Sequence, residues 1–313
     1  MNDKIFIVPG RNSAGLAARI AQQCQYKLAE IKWTNFSDGE SKPQYKDNIR
    51  GANLYIINST NAPADNLKDL LLLIDAGMRA SAERVIAIIP YFGGQRQERK
   101  DKGRVPITAK LNADMLATAG VYKIISVDLH ADAIQAFFQR FDHLYSSYLF
   151  VPYIKNLKLE NLIFVSPDTG GGKRVEKYAE YFGVDFALCY KQRGEGVDKI
   201  KKMMLLGDVN GRDVIIFDDM IDTAGSVEAC VNLLKQKGAK SIRFFASHLV
   251  GSGKAYERIK NMSDVQFVVT DSISLKQEFL ALPNVEVLSL DHLLAEVILR
   301  DVNNSSISSL FVF

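Results

Sequence analysis

The chain has 313 residues, 47% hydrophobic and 24% charged, with 39 lysines and arginines against 36 aspartates and glutamates for a net charge of +3. That length sets an expectation of two domains with sizeable cores, and the composition is that of an ordinary soluble globular protein. The balance of charge excludes a polycationic nucleic-acid binder, no apolar run reaches the ~18 residues of a membrane span, and MNDKIFIVPG has neither the basic start nor the long apolar stretch of a signal peptide.

In chain order, Lys4–Val8, Leu54–Asn58, Arg84–Pro90 and Lys123–Val127 read as buried strands, with helical spacing at 13–24, 65–80 and 107–119 between them. The third helix has Pro106 at its first position, Ile107, Leu111 and Met115 recurring at four, and Gly120 as C-terminal cap. The second half repeats the theme: strands at 162–165, 185–190, 214–217, 242–247 and 265–269, helices at 173–182, 227–237 and 292–299. Strand–helix alternation throughout predicts α/β architecture with mainly parallel sheets flanked by helices. The domain boundary is placed within 144–152, giving domains 1–146 and 147–313. KIISVDLHADAIQAFF (123–138) and VIIFDDMIDTAGSVEACV (214–231) echo one another as strand, acid, loop and helix, which points to duplication. Three scattered cysteines, Cys24, Cys189 and Cys230, lack metal-ligand spacing and fit a reducing compartment, so a cytoplasmic protein is expected.

The most specific stretch is DDMIDTAGS (218–226), after the apolar run Val214–Phe217. Ligands of open parallel sheets bind beyond the carboxyl ends of strands. Ala224 and Gly225 admit close backbone approach, Thr223 and Ser226 offer hydroxyls, and the following helix presents its N-terminal N–H groups to an anion. A phosphate fits there without lysine, and Asp218 and Asp219 suit sugar hydroxyls or Mg²⁺. The ligand implied is a sugar phosphate; the nucleoside-triphosphate P-loop pattern is absent at this site. SPDTGGGKR (166–174) has Asp168 as a possible Mg²⁺ ligand and a glycine turn, VDLH (127–130) sets Asp128 and His130 at a strand end, and RQERKDKGR (96–104) offers cations to a polyphosphate. Each of these three is weak alone.

Together, FSDGE, ADNLKDLLLL, RQERK…RVPITAKLNADML, DLHA, SPDTGGGKR, KQR, DDMIDTAGS and SISSLF stand in the order and spacing of the ribose-phosphate diphosphokinases, and the chain resembles that family over essentially its whole length. The resemblance implies two tandem phosphoribosyltransferase-type domains, the first with ATP-binding elements and the second with the ribose 5-phosphate loop. It also implies transfer of the β,γ-diphosphoryl group of Mg-ATP to ribose 5-phosphate, releasing AMP. Phe36, Asp38 and Glu40 would then contact adenine from a neighbouring subunit, and Arg96, Gln97 and Asp101 would hold ATP. His130 and Asp168 would lie at Mg²⁺ with Asp128 as helper. Asp218 and Asp219 would take the ribose hydroxyls, and Asp222, Thr223, Ala224, Gly225 and Ser226 the 5-phosphate. Lys191 and Arg193, on a mobile loop, would neutralise charge during transfer. Arg50, Arg104, Ser306, Ser308 and Ser309 would form an anion site for phosphate or ADP, and a homohexamer is expected.

The chain departs from the family pattern at Gly93–Glu98, at Ala133, Ala136 and Phe141, and at Gly194 and Gly196 of the mobile loop. Two other readings stay open: a nucleobase phosphoribosyltransferase, which shares the DDMIDTAGS type of loop, and a catalytically weak regulatory subunit.

Overall fold

The computed structural model describes residues 4–193 and 200–313, with side chains described for all of these except 191–193 and 200–202. Two compact units emerge. The first runs to Ser146 and takes in Ser272–Ser274 and Ser289–Phe311; the second comprises Ser147–Asp271, Leu275–Leu288 and Val312–Phe313. Residues 289–311, placed by the sequence expectation in the second domain, cluster with the first unit.

In the first unit, strands β1 (Ile5–Pro9), β2 (Lys27–Leu28), β5 (Asn53–Ile57), β6 (Arg84–Ile89), β7 (Lys123–Val127) and β8 (Phe141–Leu144) form a six-stranded sheet, and β3 (Ile31–Asn35) and β4 (Ser41–Tyr45) a separate antiparallel hairpin. The sheet order is β2-β1-β5-β6-β7-β8 and every pairing is parallel. Its strands are continuous apolar runs because helices cover the sheet; Val85 to Ile89 of β6 are at most 2% exposed. The helices of this unit are α1 (Ala14–Cys24), α2 (Asp65–Arg79) and α3 (Thr108–Ala119).

In the second unit, helix α4 (Ser147–Leu157) precedes β9 (Leu162–Ser166), α5 (Gly172–Phe182), β10 (Phe186–Arg193), β11 (Ile200–Leu206), β12 (Asp213–Ile221), α6 (Gly225–Gln236), β13 (Ser241–Leu249), α7 (Ala255–Asn261), β14 (Val265–Thr270), α8 (Gln277–Leu280) and β15 (Val285–Leu288). The seven strands run β11-β10-β9-β12-β13-β14-β15, and all pairings are parallel except β11 on β10. The last helix, α9 (Asp291–Val302), returns to the first unit and packs on α1. There Asp301 accepts hydrogen bonds from Tyr55 Oη and Lys123 Nζ, each at 2.7 Å, and Cys24 Sγ reaches the Ala295 carbonyl at 3.5 Å.

The two sheets repeat one topology: β1, β2, β5, β6, β7 and β8 match β9, β10, β12, β13, β14 and β15 in order and direction. Duplication is therefore visible, but not through the strands whose sequences echo. The counterpart of β12 is β5, followed by NSTNAPADN, whereas β7 corresponds to β14. The 132–137 segment is a 3-10 turn, so the expected helix of the echo is absent. The repeats also differ in where their final helices go: α4 follows β8 yet lies in the second unit, and α9 follows β15 yet lies in the first.

A second correction concerns α3. Gly120 caps it in the left-handed region at φ 100°, as the sequence predicts, but the helix starts at Thr108, with Pro106 outside it. Its buried face is Ala109, Asn112, Ala113 and Leu116; Leu111, expected in the packed stripe, is 55% exposed.

Candidate functional site

In the second unit the strand continues through the acids. β12 ends at Ile221, so Asp218 and Asp219 belong to the strand's last turnless residues and the connection to α6 is only 222–224. The apolar stretch ending at Phe217 sits on an aromatic floor: Phe217 stacks on Tyr178 at 3.9 Å and meets Phe150, Phe164 and Phe245 at 5.9, 5.7 and 5.2 Å. Such close-packed rings resist displacement and fix the strand end.

On that floor Asp218 Oδ1 accepts the Asp219 N–H at 2.9 Å, and Arg174 Nη1 of α5 stands 4.0 Å from Asp219 Oδ1. Burial pushes the Asp218 carboxyl well above the ordinary carboxylate range; the charge and hydrogen bond of Asp219 add to this, as does Asp168, and Arg174 opposes it. Three carboxylates against one arginine make a site that gains from cationic or hydrogen-bond-donating ligands.

The turn after β12 is braced from outside. Ser252 Oγ donates to Asp222 Oδ1, the Ser252 N–H donates to the Asp222 carbonyl at 3.0 Å, and Arg258 Nη1 of α7 donates to the Thr223 carbonyl at 2.7 Å. Arg258 is itself held by Glu228 at 3.2 Å. Ala224 takes a left-handed φ of 59° at the N-cap of α6, a conformation that costs a non-glycine residue energy. It brings Gly225 and Ser226 to the helix start, where the first N–H groups lack helical acceptors. Thr223 and Ser226 flank this anion-accepting end.

The SPDTGGG turn is organised around its acid. Asp168 Oδ1 accepts the N–H groups of Gly170 and Gly171 at 3.0 and 3.1 Å, and Ser166 Oγ donates to the Asp168 carbonyl at 2.6 Å. The N–H groups of Gly170 and Gly171 thus already have an acceptor in Asp168. A Cβ at Gly171 would lie 2.7 Å from Ser166 Oγ, so a larger residue there must displace that hydroxyl. Lys191 and Arg193 lie in β10, where Lys191 pairs with Met203 and a register shift falls between Gln192 and Arg193. Gly194 and Gly196 lie outside the described residues.

In the first unit, β3 and β4 present Phe36, Asp38 and Glu40 at an exposed turn, Phe36 being 46% exposed. The Phe36 N–H donates to the Glu40 carbonyl at 2.8 Å and the Glu40 N–H to Asp38 Oδ1 at 3.0 Å. Arg96, Gln97 and Asp101 are exposed in the loop before α3, and Gln97 ties that loop to the helix by accepting from Thr108 Oγ1. His130 is exposed, and its backbone N–H donates to Gln95 Oε1 at 3.0 Å; Gln95 is 1% exposed. Asp128 is buried at φ 41° and spends Oδ2 on the Ser146 N–H at 3.0 Å, a structural tie at a position expected to help a metal.

Among the described residues no group of three or more His, Cys, Asp or Glu is arranged to hold a metal, and no helix is long and apolar enough to cross a membrane. Ser306 and Ser308 hydrogen-bond each other at 3.0 Å, and Arg300 Nη1 donates to the Ser306 carbonyl and Ser309 Oγ at 2.7 and 2.6 Å. Arg50 Nη1 donates to Ser81 Oγ at 3.2 Å, and neither Arg50 nor Arg104 is hydrogen-bonded to these serines.

Comparison with known proteins meets this geometry at both ends of the chain. Residues 5–120 match the N-terminal domain of ribose phosphate pyrophosphokinase, and residues 194–312 the phosphoribosyl synthetase-associated domain. A ribose-phosphate pyrophosphokinase of Porphyromonas gingivalis is 42% identical over 98% of this chain and 97% of its own. One of Campylobacter jejuni is 44% identical, with 98% of each chain covered. The chain belongs to the ribose-phosphate pyrophosphokinase family. The crystal structure of phosphoribosylpyrophosphate synthetase from Mycobacterium smegmatis superposes with a TM-score of 0.91 at 34% identity, covering 97% of this chain and all of that one. The α/β architecture of the family, two tandem phosphoribosyltransferase-type domains, is the one described above.

Within this family frame, four residues were invisible to sequence reasoning. Arg258 and Ser252 brace the turn after β12 from more than 25 positions downstream. Gln95 fixes the backbone at His130. His143 is buried and accepts the Leu129 N–H through Nε2 at 2.8 Å, with Nδ1 3.4 Å from Asp132 Oδ1, so it shapes the DLHA turn. Its one sequence signal is a histidine inside an edge strand beside β7.

Proposed function

We propose that this pyrophosphokinase transfers the β,γ-diphosphoryl group of Mg-ATP to the 1-hydroxyl of ribose 5-phosphate, giving 5-phosphoribosyl 1-diphosphate and AMP for nucleotide biosynthesis. The observation that carries the reading is the end of β12, where paired acids precede a lysine-free turn and an open helix N-terminus. Asp218 and Asp219 accept from the ribose hydroxyls, whose donors offset the burial and the neighbouring acid charge that raise the Asp218 carboxyl. Thr223, Ser226 and the first N–H groups of α6 hold the 5-phosphate. Asp222, already bonded to Ser252, orients the turn.

The nucleotide half consists of Arg96, Gln97, Asp101 and His130, with Phe36, Asp38 and Glu40 on adenine. Diphosphoryl transfer requires in-line placement and offsetting of negative charge, not an enzyme nucleophile. Lys191 and Arg193 supply cations to the transferring group. Asp168, with His130, is the assigned holder of Mg²⁺; the excess of carboxylate over arginine around Asp168, Asp218 and Asp219 fits a divalent cation, and a small protein ligand set suits an ion that keeps phosphate and water ligands. Bound there, Mg²⁺ neutralises phosphate charge. The same reading includes a cytoplasmic homo-oligomer, with phosphate or ADP acting at Arg50, Arg104 and Ser306–Ser309.

The test mixes protein, Mg-ATP and ribose 5-phosphate and separates the nucleotides. Sugar-dependent AMP is expected; ADP in its place, or no sugar dependence, overturns the reaction. Diphosphate release from a nucleobase and 5-phosphoribosyl 1-diphosphate would move the chain to the nucleobase transferases.

A further inference from the structure

A two-stranded β-ribbon is marginal by itself in water, and the β3–β4 hairpin joins neither large sheet. Its pose is therefore set by side-chain ties to the rest of the first unit. At the open end, Tyr45 Oη donates to the Leu73 carbonyl of α2 at 3.0 Å, and Asp47 accepts from the Glu30 N–H at 2.9 Å and from Lys27. At the turn end the tie is Arg11. Its Nε and Nη2 meet the two oxygens of Asp69 at 2.8 and 2.9 Å, Nη1 donates to Asn35 Oδ1 at 3.0 Å, and Nη2 donates to Ser41 Oγ at 2.7 Å. The guanidinium also lies over the Trp33 ring, 4.1 Å from its centroid.

Asn35 and Ser41 are the hairpin pair nearest the turn that displays Phe36. Asp69 is 5% exposed on α2, so its charge anchors the arginine to the core. One planar group thus grips both strands, stacks on a third hairpin side chain and is itself held by a buried acid. A lysine, with a point charge on a flexible stem, cannot reproduce that set.

Resting on the assignment of Phe36, Asp38 and Glu40 to adenine, we propose that Arg11 is a positioning residue for ATP, its clamp on Asn35, Ser41 and Trp33 holding the Phe36 turn in the nucleotide-ready pose. The sugar half of the site does not pass through this clamp, so the effect falls on one substrate.

Trp33 is the chain's single tryptophan, so its emission reports on the clamp directly. In the full-length protein, Arg11→Lys is expected to raise the KM for ATP about tenfold, with the KM for ribose 5-phosphate and kcat held within about twofold. Trp33 emission, shifted in the variant, should respond to ATP alone with a correspondingly higher midpoint. Phe36→Ala is the control and should raise the KM for ATP at least as much. If Phe36→Ala raises it and Arg11→Lys does not, the clamp is overturned while the adenine assignment stands. If Phe36→Ala leaves it unchanged, the adenine assignment itself has failed. Equal changes in both KM values would assign Arg11 a merely structural role and also overturn the proposal. Asn35→Ala, which removes one exposed bond, guards against an unfolded Arg11 variant and should show the same ATP-selective pattern at about two- to threefold.

Discussion

The turn after β5 and the turn after β12 occupy the same place in two sheets of the same topology, yet they have opposite chemistry. After β5 the chain reads Asn58, Ser59, Thr60, and most of the polar groups there bond within the fold, Asn58 Oδ1 being a buried exception. Asn58 Nδ2 donates to the Asn66 carbonyl at 2.7 Å, Ser59 Oγ donates to the Ser272 carbonyl, and both residues are 0% exposed. Gly10 approaches so closely that a Cβ there would lie 2.2 Å from Asn58 Oδ1. The register-equivalent positions, within the last part of β12, are Asp218 and Asp219, held near a third acid. One strand end is largely closed by hydrogen bonds of its own fold; the other gathers two adjacent acids with Arg174 and Asp168 nearby. Duplicating a backbone duplicates the place for a site, and the residues at two strand-end positions decide whether a site is there.

The largest break in this comparison comes from the acids. Asp218→Asn with Asp219→Asn should lower kcat/KM for ribose 5-phosphate by about 10²–10³-fold, while Asn58→Ala should leave the KM for the sugar unchanged and lower the melting temperature instead. Steady-state kinetics and calorimetry on both proteins check it, and a sugar effect from Asn58 would erase the distinction. Next come the glycines. A Cβ at Gly93 would meet the Thr60 carbonyl oxygen at 1.9 Å, so Gly93→Ala should destabilise by about 3 kcal/mol. Gly171→Ala presses on a movable hydroxyl and should cost about 1 kcal/mol, its main effect being lost activity as Asp168 shifts. Denaturant titration beside kinetics tests both.

A smaller effect concerns pH. The folded carboxyl of Asp218 titrates above its unfolded value, so between the two values the folded state binds more protons and stability falls as pH rises. Asp218→Asn should therefore raise the melting temperature of the ligand-free protein by about 2–4 °C, with the gain growing from acidic to alkaline buffer. A gain that shrinks with rising pH would reverse the assignment. The smallest expected change is in Arg104→Ala, which should shift the phosphate dependence of activity with maximal rate retained; an unaltered curve removes Arg104 from an anion site.

The inner strands of both sheets were legible because buried parallel strands are continuous apolar runs, as VIAII and VIIF are, whereas the edge strands β2, β8, β11 and β15 were not. The acids and small residues of 218–226 were legible because their chemistry is local. What escaped depends on tertiary context. β3 and β4 alternate polar residues and a proline, with no apolar run to mark them. The α3 stripe was misread because Ile107, Leu111 and Met115 keep helical spacing on the side that the sheet does not cover. The sequence echo paired β7 with β12 because both end in an acid, whereas the sheet order pairs β5 with β12. Arg258, Gln95 and His143 act through backbone groups distant in sequence, and no spacing rule marks such partners.

The crossing of the last helices has a genetic consequence. Leu293, Leu294, Val297 and Ile298 of α9 are at most 1% exposed in the first unit, and Phe150, Val151 and Ile154 of α4 at most 3% in the second. A gene split after codon 146 would yield one fragment without its closing helix and another trailing an apolar helix with no bed. The first fragment lacks the helix that closes its interior and the second keeps its own core but carries a stray apolar helix, so separately produced pieces should reach a soluble state only when made together.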